Sequence, residues 1–331
     1  MQRQTTFSDI EHASRRRTTK RDEFLARMDE AVPWAELVDA IGPFYYPGKR
    51  GRRPIGAERM LRMYFLQLWF NLSDEGVEDA VYDSRAFSSF MGVSFGAGDQ
   101  VPDATTLLKF RRIIEANGLA GDILARVNAV LEEAGVMMRG GSIVDATFVE
   151  APSSTKNSAG KRDPEMRQGK KGKNWHFGMK AHIGADAGSG LVHTVAFTPA
   201  NTSDVSMAHA LVREDDEVCY ADSGYTGVAK RPEVAGDDSI SGIGRVVAEK
   251  PSRIKGMEGL AFEHGIESRK ASVRAKVEHP FLIVKRTFGY AKCRYRGIAK
   301  NASALTVLFA LANVEMWSRA GCPVLPAASP A

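Results

Sequence analysis

The pattern of hydrophobic and polar positions divides the chain near residue 139. Between residues 56 and 135, apolar residues recur at helical spacing, as Met60, Leu61 and Leu68 do in AERMLRMYFLQLWFNLS. Beyond Arg139 the period shortens to two, and short apolar stretches are bounded by turn residues such as GSG at 188–190. The pattern predicts a helical first part and a strand-rich second part.

Capping residues delimit the predicted helices of the first part. Ser73 and Asp103 stand at N-cap positions, and Asn117-Gly118 is a stop signal. Three basic residues follow Asp103 on one helix: Lys109, Arg111 and Arg112. Short helices with available basic side chains would suit a helix-turn-helix-like DNA reader, and a plain helical bundle is the alternative.

The second part contains five strand candidates. They cover residues 142–149, 175–186, 191–199, 216–222 and 244–250, with a helix at 204–213 and further helices to about 318. Three strands, a helix, then strand, helix, strand and terminal helices is the order of an RNase H-like fold. We therefore expect an α/β fold class, with a mixed five-stranded sheet and flanking helices, preceded by an all-α N-terminal domain.

The predicted domain limits follow from these changes of pattern. A basic N-terminal segment covers residues 1–55, a helical domain 56–138, an RNase H-like domain 139–320 and a Pro/Ala-rich tail 321–331.

Positive charge is concentrated in a few segments. The net charge is +5, and residues 151–174 alone carry seven Lys or Arg against two acids. Further basic clusters lie at residues 15–21, 48–54 and 285–297. Basic clusters interleaved with glycine, proline and aromatic residues are typical of a nucleic-acid partner, and a merely solvated surface is the alternative.

Other features exclude several classes of protein. The N-terminus has no apolar core typical of a secretory signal, and the most apolar stretch, 302–314, is too short and interrupted to span a bilayer. The three widely spaced cysteines argue against a disulfide framework or a zinc site. We expect a soluble, cytoplasmic protein without a membrane partner.

The chemistry of the second part centres on an aspartate within a covered strand. Asp145 lies in the first strand, where an unpaired carboxylate is unfavourable. In an RNase H-like sheet the first and fourth strands are neighbours, so Asp222, at the end of VCYAD, would point to the same place. Glu278, on a later helix, is the candidate third carboxylate. Oxygen ligands of this kind suit Mg²⁺, or Mn²⁺, rather than zinc, and two such ions about 3.5–4 Å apart catalyse phosphodiester transfer.

These residues resemble the DDE transposases of bacterial insertion sequences, in the group typed by insertion sequence five. The resemblance covers roughly residues 45–318 and is carried by IVDATFVEAP, GKKGKNWHFGMKAHIGAD, GLVHTVAFTPANTSD, YADSGYTG and VEHPFLIVKRTFGYAKCRYRGIAKN. It implies that Asp145, Asp222 and Glu278 are the catalytic metal ligands and that residues 45–135 form the family's helical N-terminal domain.

The wider superfamily carries a Tyr-x2-Arg-x3-Glu-x6-Lys signature. Arg274, Glu278 and Lys285 fit its last three positions, whereas Ala271 replaces the tyrosine. On one continuous helix these three residues would form a stripe whose cations hold phosphates beside the scissile bond. Pro280 would bend such a helix, and the alternative is a helix that begins near Glu278 with Arg274 in a loop.

Further DNA contacts are predicted from the basic segments. Lys170, Lys171 and Lys173 are expected to contact backbone phosphates from a mobile loop. The resemblance places Lys180, with its strand, beside the active site and includes Arg294 and Arg296 in a family motif. Trp175 is either a platform for an unpaired base or a core tryptophan, and residues 48–54 are either a minor-groove arm or an ordinary basic loop.

The resulting hypothesis is a transposase that cleaves double-stranded DNA at terminal inverted repeats and transfers the 3′ end to target DNA. Because two ends must meet, a homodimer or larger assembly on DNA is expected. Two alternatives are a regulator that binds repeats without catalysis and a structure-selective, metal-dependent nuclease.

Overall fold

The structure, a computed structural model, describes residues 17–46, 48, 54–95, 99–158, 160–249 and 261–320. Most of the predicted arm at 48–54, part of the cluster at 15–21 and the tail at 321–331 lie outside the described residues. The chain divides into two compact units, Met1–Val127 with Val314–Ala331, and Asn128–Asn313. The predicted limits, by contrast, separate the two parts at residues 138 and 139.

The first unit is helical, as its apolar periodicity predicts. Its helices are α1 (Lys20–Ala31), α2 (Trp34–Ile41), α3 (Ala57–Trp69), α4 (Asp74–Asp83), α5 (Arg85–Phe90), α6 (Ala104–Ala116) and the first part of α7 (Leu119–Glu133). Both predicted N-caps are confirmed. The Ser73 hydroxyl accepts a hydrogen bond from the Gly76 N–H at 2.9 Å, and the Asp103 carboxylate accepts one from the Thr106 N–H at 2.6 Å.

Arg111 supports the core of this unit and is not available to DNA. Its side chain is only 5% exposed. Its guanidinium donates two hydrogen bonds to the Asp74 carboxylate, at 2.6 and 3.0 Å, and one to the Gln67 side chain at 3.1 Å. A buried charge is tolerated when it is paired in this way. The prediction that Arg111 serves a DNA-reading helix is therefore wrong, and the helical-bundle alternative fits this residue.

The second unit contains a mixed sheet, which confirms the predicted α/β class. Its strands are β1 (Gly141–Glu150), β2 (Arg167–Lys171), β3 (Asn174–Asp186), β4 (Val192–Pro199), β5 (Val218–Ala221) and β6 (Gly244–Val247). β1 lies between β3, which is antiparallel to it, and β5, which is parallel. β6 extends the parallel part, while β2 and β4 pair with successive halves of β3.

The prediction of five strands is wrong, because the described residues contain six. The additional strand, β2, has the polar sequence RQGKK and shows no apolar alternation. It is held by backbone pairing with the first half of β3, where Lys170 lies opposite Trp175. Lys170 and Lys171 thus lie on a strand, and Lys173 lies in the turn that joins β2 to β3. The predicted loop is therefore wrong at Lys170 and Lys171, whereas Lys173 does lie in a turn between strands.

The helical elements of the second unit include one long interrupted run. In chain order they are the last part of α7, a 3₁₀ helix (Asp204–Leu211), two 3₁₀ turns (Ser223–Tyr225 and Val228–Lys230), α8 (Pro232–Ala235), α9 (Asp238–Ser241), α10 (Ala261–Arg274), a 3₁₀ turn (Ala275–Val277), α11 (Glu278–Leu282), a π-helical turn (Ile283–Thr287) and the first part of α12 (Ile298–Arg319). Arg274 has helical dihedral angles, so the alternative that placed it in a loop is wrong. Pro280 is the third residue of α11, where the missing N–H is least harmful. Among the described helices, none is both long and apolar enough to cross a membrane.

Alternate residues of β1 serve the two faces of the sheet. Val144 packs on one face with Leu211, Ala221 and Tyr225 in a buried apolar cluster. The opposite face carries Asp145 and Thr147, as the alternation predicts.

Two acids anchor the basic segment at the start of α12. Asp163 accepts a hydrogen bond from the Gly297 N–H at 2.6 Å, and Glu165 accepts one from the Ile298 N–H at 2.7 Å. Carboxylates at a helix N-terminus satisfy unpaired N–H groups and interact favourably with the helix dipole. Both acids of residues 151–174 are used in this way.

Asn301 organises the turn that precedes α12. Its buried side chain accepts hydrogen bonds from the Tyr290 hydroxyl and from the N–H groups of Arg294 and Tyr295. It also donates to the carbonyls of Tyr295 and Gly297, at 2.7 Å each. The Asn301 amide, together with the Asp163 carboxylate at Gly297, therefore shapes the segment RYRG.

The Asn301→Ala substitution should lower the free energy of unfolding by about 2–4 kcal/mol, because several buried polar groups lose their partners at once. Urea denaturation would measure the change. The exposed Asn174 provides a matched control, and Asn174→Ala should change the free energy by less than about 0.5 kcal/mol. Equal effects of the two substitutions would contradict the organising role of Asn301.

Candidate active site

Asp145 and Asp222 are brought together by the parallel pairing of β1 and β5. Val144 lies opposite Ala221 in this pairing. The residues that follow them, Asp145 and Asp222, are therefore adjacent and on the same face. Neighbouring strands lie about 4.8 Å apart. Asp222 follows the last residue of β5 and opens a 3₁₀ turn, where its carboxylate accepts a hydrogen bond from the Gly224 N–H at 2.8 Å.

Asp145 carries an unfavourable negative charge. Burial raises the pKa of its carboxyl from 3.8 to about 6, and the hydrogen bond from the Ala146 N–H, at 2.7 Å, opposes this rise. The charges of Asp222 and Glu278 also contribute to this rise, whereas the charge of Arg274 opposes it. The three predicted carboxylates therefore interact electrostatically.

Glu278 begins α11, and its side chain is exposed. Within the described residues, no three His, Cys, Asp or Glu side chains are gathered closely enough to hold a metal ion. The three predicted carboxylates thus affect one another electrostatically, but they are not gathered closely enough to form a complete set of metal ligands.

The chemistry of these groups nevertheless fits a divalent cation. Carboxylate oxygens are the ligands that Mg²⁺ and Mn²⁺ prefer. The half-buried Asp145 carboxylate, with two further acids acting on it, is a concentration of negative charge that such a cation would neutralise.

Arg274 and Lys285 flank this site. The Lys285 ammonium donates hydrogen bonds to the Thr147 hydroxyl at 2.7 Å and to the Phe148 carbonyl at 2.6 Å. Burial and then the charge of Lys171 lower the pKa of Lys285, while the charges of Glu150 and Glu278 raise it. Thr147 thus positions a signature lysine, a role that was not predicted from the sequence. The signal that could have indicated it is the position of Thr147 on the same face of β1 as Asp145.

Lys180 lies on the other face of the sheet. It is opposite Phe148, whereas Asp145 is opposite Ile183. Its side chain is 10% exposed, and its ammonium contacts the Asp204 carboxylate at 2.8 Å and the Thr202 carbonyl at 2.7 Å. The structure therefore does not support the predicted DNA contact, because this charge is buried and paired.

The other predicted DNA contacts differ in exposure. Arg294 is partly buried, and its backbone N–H is held by Asn301 at 3.0 Å. The remaining predicted residues outside the carboxylate site are exposed: Lys170, Lys171, Lys173 and Arg296.

Comparison with known protein families identifies both parts of the chain. A family model described as a transposase domain (DUF772) matches residues 13–112. A second, described as a transposase DDE domain, matches residues 137–314, and these contain Asp145, Asp222 and Glu278. No solved structure matches the chain significantly. Because the second match covers more than half of the 331 residues, the protein belongs to the DDE transposases, which are metal-dependent DNA-cleaving enzymes.

Proposed function

We propose that Asp145, Asp222 and Glu278 are the catalytic, metal-binding carboxylates of this transposase. The observation that carries the proposal is the half-buried Asp145 carboxylate on the central strand, whose pKa is raised to about 6 beside the charges of Asp222 and Glu278. Such an arrangement lowers the stability of the protein unless a cation compensates it, and unfavourable charge of this kind is typical of functional sites.

An RNase H-like fold is the architecture we propose for the second unit. Without β2, the sheet has the order β4-β3-β1-β5-β6, with β3 antiparallel to β1 and with β5 and β6 parallel to it. This order supports the proposal because it makes the first and fourth principal strands neighbours, so that Asp145 and Asp222 share one edge of the site.

Each side chain has a proposed task in phosphodiester chemistry. Asp145, Asp222 and Glu278 would hold Mg²⁺, or Mn²⁺, which supplies charge neutralisation and an activated oxygen nucleophile when bound. Arg274 and Lys285 would bind phosphate oxygens beside the scissile bond, since they lie on the helical run that carries Glu278.

The proposed substrate is double-stranded DNA at the terminal inverted repeats of an insertion sequence of the group typed by insertion sequence five. Cleavage would leave a 3′ hydroxyl, which then attacks target DNA at the same carboxylates. Two ends must be joined in one event, so we infer a homodimer or larger assembly on DNA. A DNA substrate also supports the expected cytoplasmic location.

Replacement of Asp222 by asparagine should reduce Mg²⁺-dependent nicking of an inverted-repeat duplex at least about a thousandfold, because a metal-binding oxygen is lost. Binding of the same duplex in EDTA should change less than threefold, roughly, since Asp222 does not hold the backbone phosphates. A gel assay of nicking and fluorescence anisotropy would measure the two quantities.

Asp238→Asn is the matched control for this substitution, because Asp238 is an exposed aspartate at the start of α9. It should leave both nicking and binding unchanged. Undiminished nicking by Asp222→Asn protein would refute the assignment of Asp222.

Asp145→Asn should stabilise the metal-free protein at pH 7.5 by about 1–2 kcal/mol, after allowance for partial solvent screening. The sign follows from linkage. The folded-state pKa of about 6 lies above the unfolded value near 3.8, so ionisation at neutral pH opposes folding. The advantage of the variant should therefore disappear as the pH falls from 7 to 4, because the wild-type carboxyl becomes protonated.

Urea denaturation in EDTA at pH 4, 5, 6 and 7.5 would measure this effect, with Asp238→Asn again as the control. Saturating Mg²⁺ should stabilise the wild type and not the Asp145→Asn protein. If the Asp145→Asn protein were less stable than the wild type at pH 7.5 in EDTA, the conclusion that the Asp145 charge opposes folding would be wrong.

A further inference from the structure

An exposed tryptophan stands on a basic hairpin of the second unit. The basic hairpin, residues 167–178, consists of β2, the following turn and the first residues of β3. Trp175 on this hairpin is 65% exposed, whereas Trp69 and Trp317 are almost completely buried and Trp34 is partly buried. The alternative of a core tryptophan is therefore wrong, and the large apolar surface of Trp175 needs another explanation.

The acids near Trp175 are held by groups other than the hairpin lysines. Glu150, on β1, contacts the His176 ring of the hairpin at 2.9 Å. Asp163 and Glu165 are bound to the N–H groups that begin α12. Lys170, Lys171 and Lys173 are exposed, and no ion pair involves them in the part of the chain that the structure describes. The hairpin thus presents unneutralised ammonium groups beside an aromatic ring.

Lys170 and Trp175 are placed to act together. They lie directly opposite each other in the pairing of β2 with β3, so their side chains project from the same face. The Lys170 ammonium is 5.8 Å from the centre of the Trp175 ring. A nucleotide whose phosphate contacts Lys170 could therefore lay its base on the exposed ring.

The hairpin lies on the same side of the sheet as the candidate active site. Ile183 is opposite Asp145, and Trp175 is an even number of residues away along β3, so both side chains project from the Asp145 face. The path along the strand is at most about 27 Å. The charge of Lys171 also acts on Lys285, which joins the hairpin electrostatically to this site.

We propose that the basic hairpin binds unpaired DNA next to the reacting strand, with Trp175 stacked on a base and Lys170 on a phosphate. This inference deepens the proposed function and rests on it for the identity of the ligand as DNA. An unpaired base is favoured over a duplex because duplex bases cover each other's faces, whereas an unpaired base offers a free ring to an aromatic side chain. Reactions that cut and join one strand at a time leave such nucleotides beside the join.

Tryptophan fluorescence of the full-length protein tests the proposal without catalysis. The ligand is oligothymidylate of about ten nucleotides, within the range of single-stranded binding sites, titrated at low salt in EDTA. Quenching of wild-type emission should saturate, and Trp175→Phe should remove most of the quenching while binding, measured by anisotropy, is largely retained. Trp175→Ala should weaken binding about tenfold, the fold-change expected from loss of one stacked base.

The contribution of Lys170 has a separate signature. Lys170→Gln should lower the slope of log affinity against log salt by about 0.7, the value for one phosphate contact on a single strand. Because Trp175 and Lys170 are exposed, both variants should keep the circular dichroism spectrum and urea midpoint of the wild type.

The matched control ligand is a blunt duplex of the same length. Equal quenching by duplex and single strand, or quenching that persists in Trp175→Phe, would overturn the proposal. So would wild-type affinity of Trp175→Ala for the single strand. The Asp238→Asn protein should bind oligothymidylate as the wild type does. Nicking without Trp175 quenching would refute this inference alone, whereas Trp175 quenching in a protein that does not nick would refute the proposed function alone.

Discussion

The structure of the second unit is arranged around a negative charge in its central strand. Asp145 lies midway along β1, and the parallel register with β5 brings Asp222 beside it. Removal from water and repulsion between carboxylates both oppose ionisation, which is why the pKa of Asp145 rises to about 6. A sheet that served stability alone would place an apolar residue here. The arrangement is consistent instead with the binding of a cation by a DNA-cleaving enzyme.

The helical run from α10 to the π-helical turn shows how the chain adapts to this site. A regular α-helix through Arg274, Glu278 and Lys285 would meet Pro280 in its interior, where the proline ring clashes with the preceding turn. The 3₁₀ turn at Ala275–Val277 restarts the helix at Glu278, so that Pro280 falls in its first turn. Mixed helical geometry therefore keeps all three signature residues on one run, and irregular turns of this kind often occur at functional sites.

Charged residues of the same type have very different surroundings in this protein. Arg111 and Lys180 are buried and paired with Asp74 and Asp204, so they stabilise the interior. Lys170, by contrast, is exposed beside Trp175. Asp163 and Glu165 contribute indirectly to this difference. Because they accept hydrogen bonds from N–H groups at the start of α12, they do not pair with the lysines of their own segment. A count of basic residues locates a DNA-binding region, whereas pairing decides which of those residues can contact DNA.

The sequence by itself determined the features that depend on neighbouring residues. Alternation in β1 placed Asp145 and Thr147 on one face, and the residue types at Ser73 and Asp103 predicted helix starts, because strand period and capping are local properties. The order of strands and the family motifs were sufficient to select Asp145, Asp222 and Glu278 as candidates.

The tertiary structure alone decided the features that depend on residues far apart in the chain. β2 forms because the backbone of β3 supplies its hydrogen bonds, so its polar sequence gave no signal. The burial of Lys180 required Asp204, and the exposure of Trp175 required a hairpin with no covering element among the described residues. Burial and charge pairing depend on which distant segments come into contact. The sequence pattern of one segment does not show which segments those are.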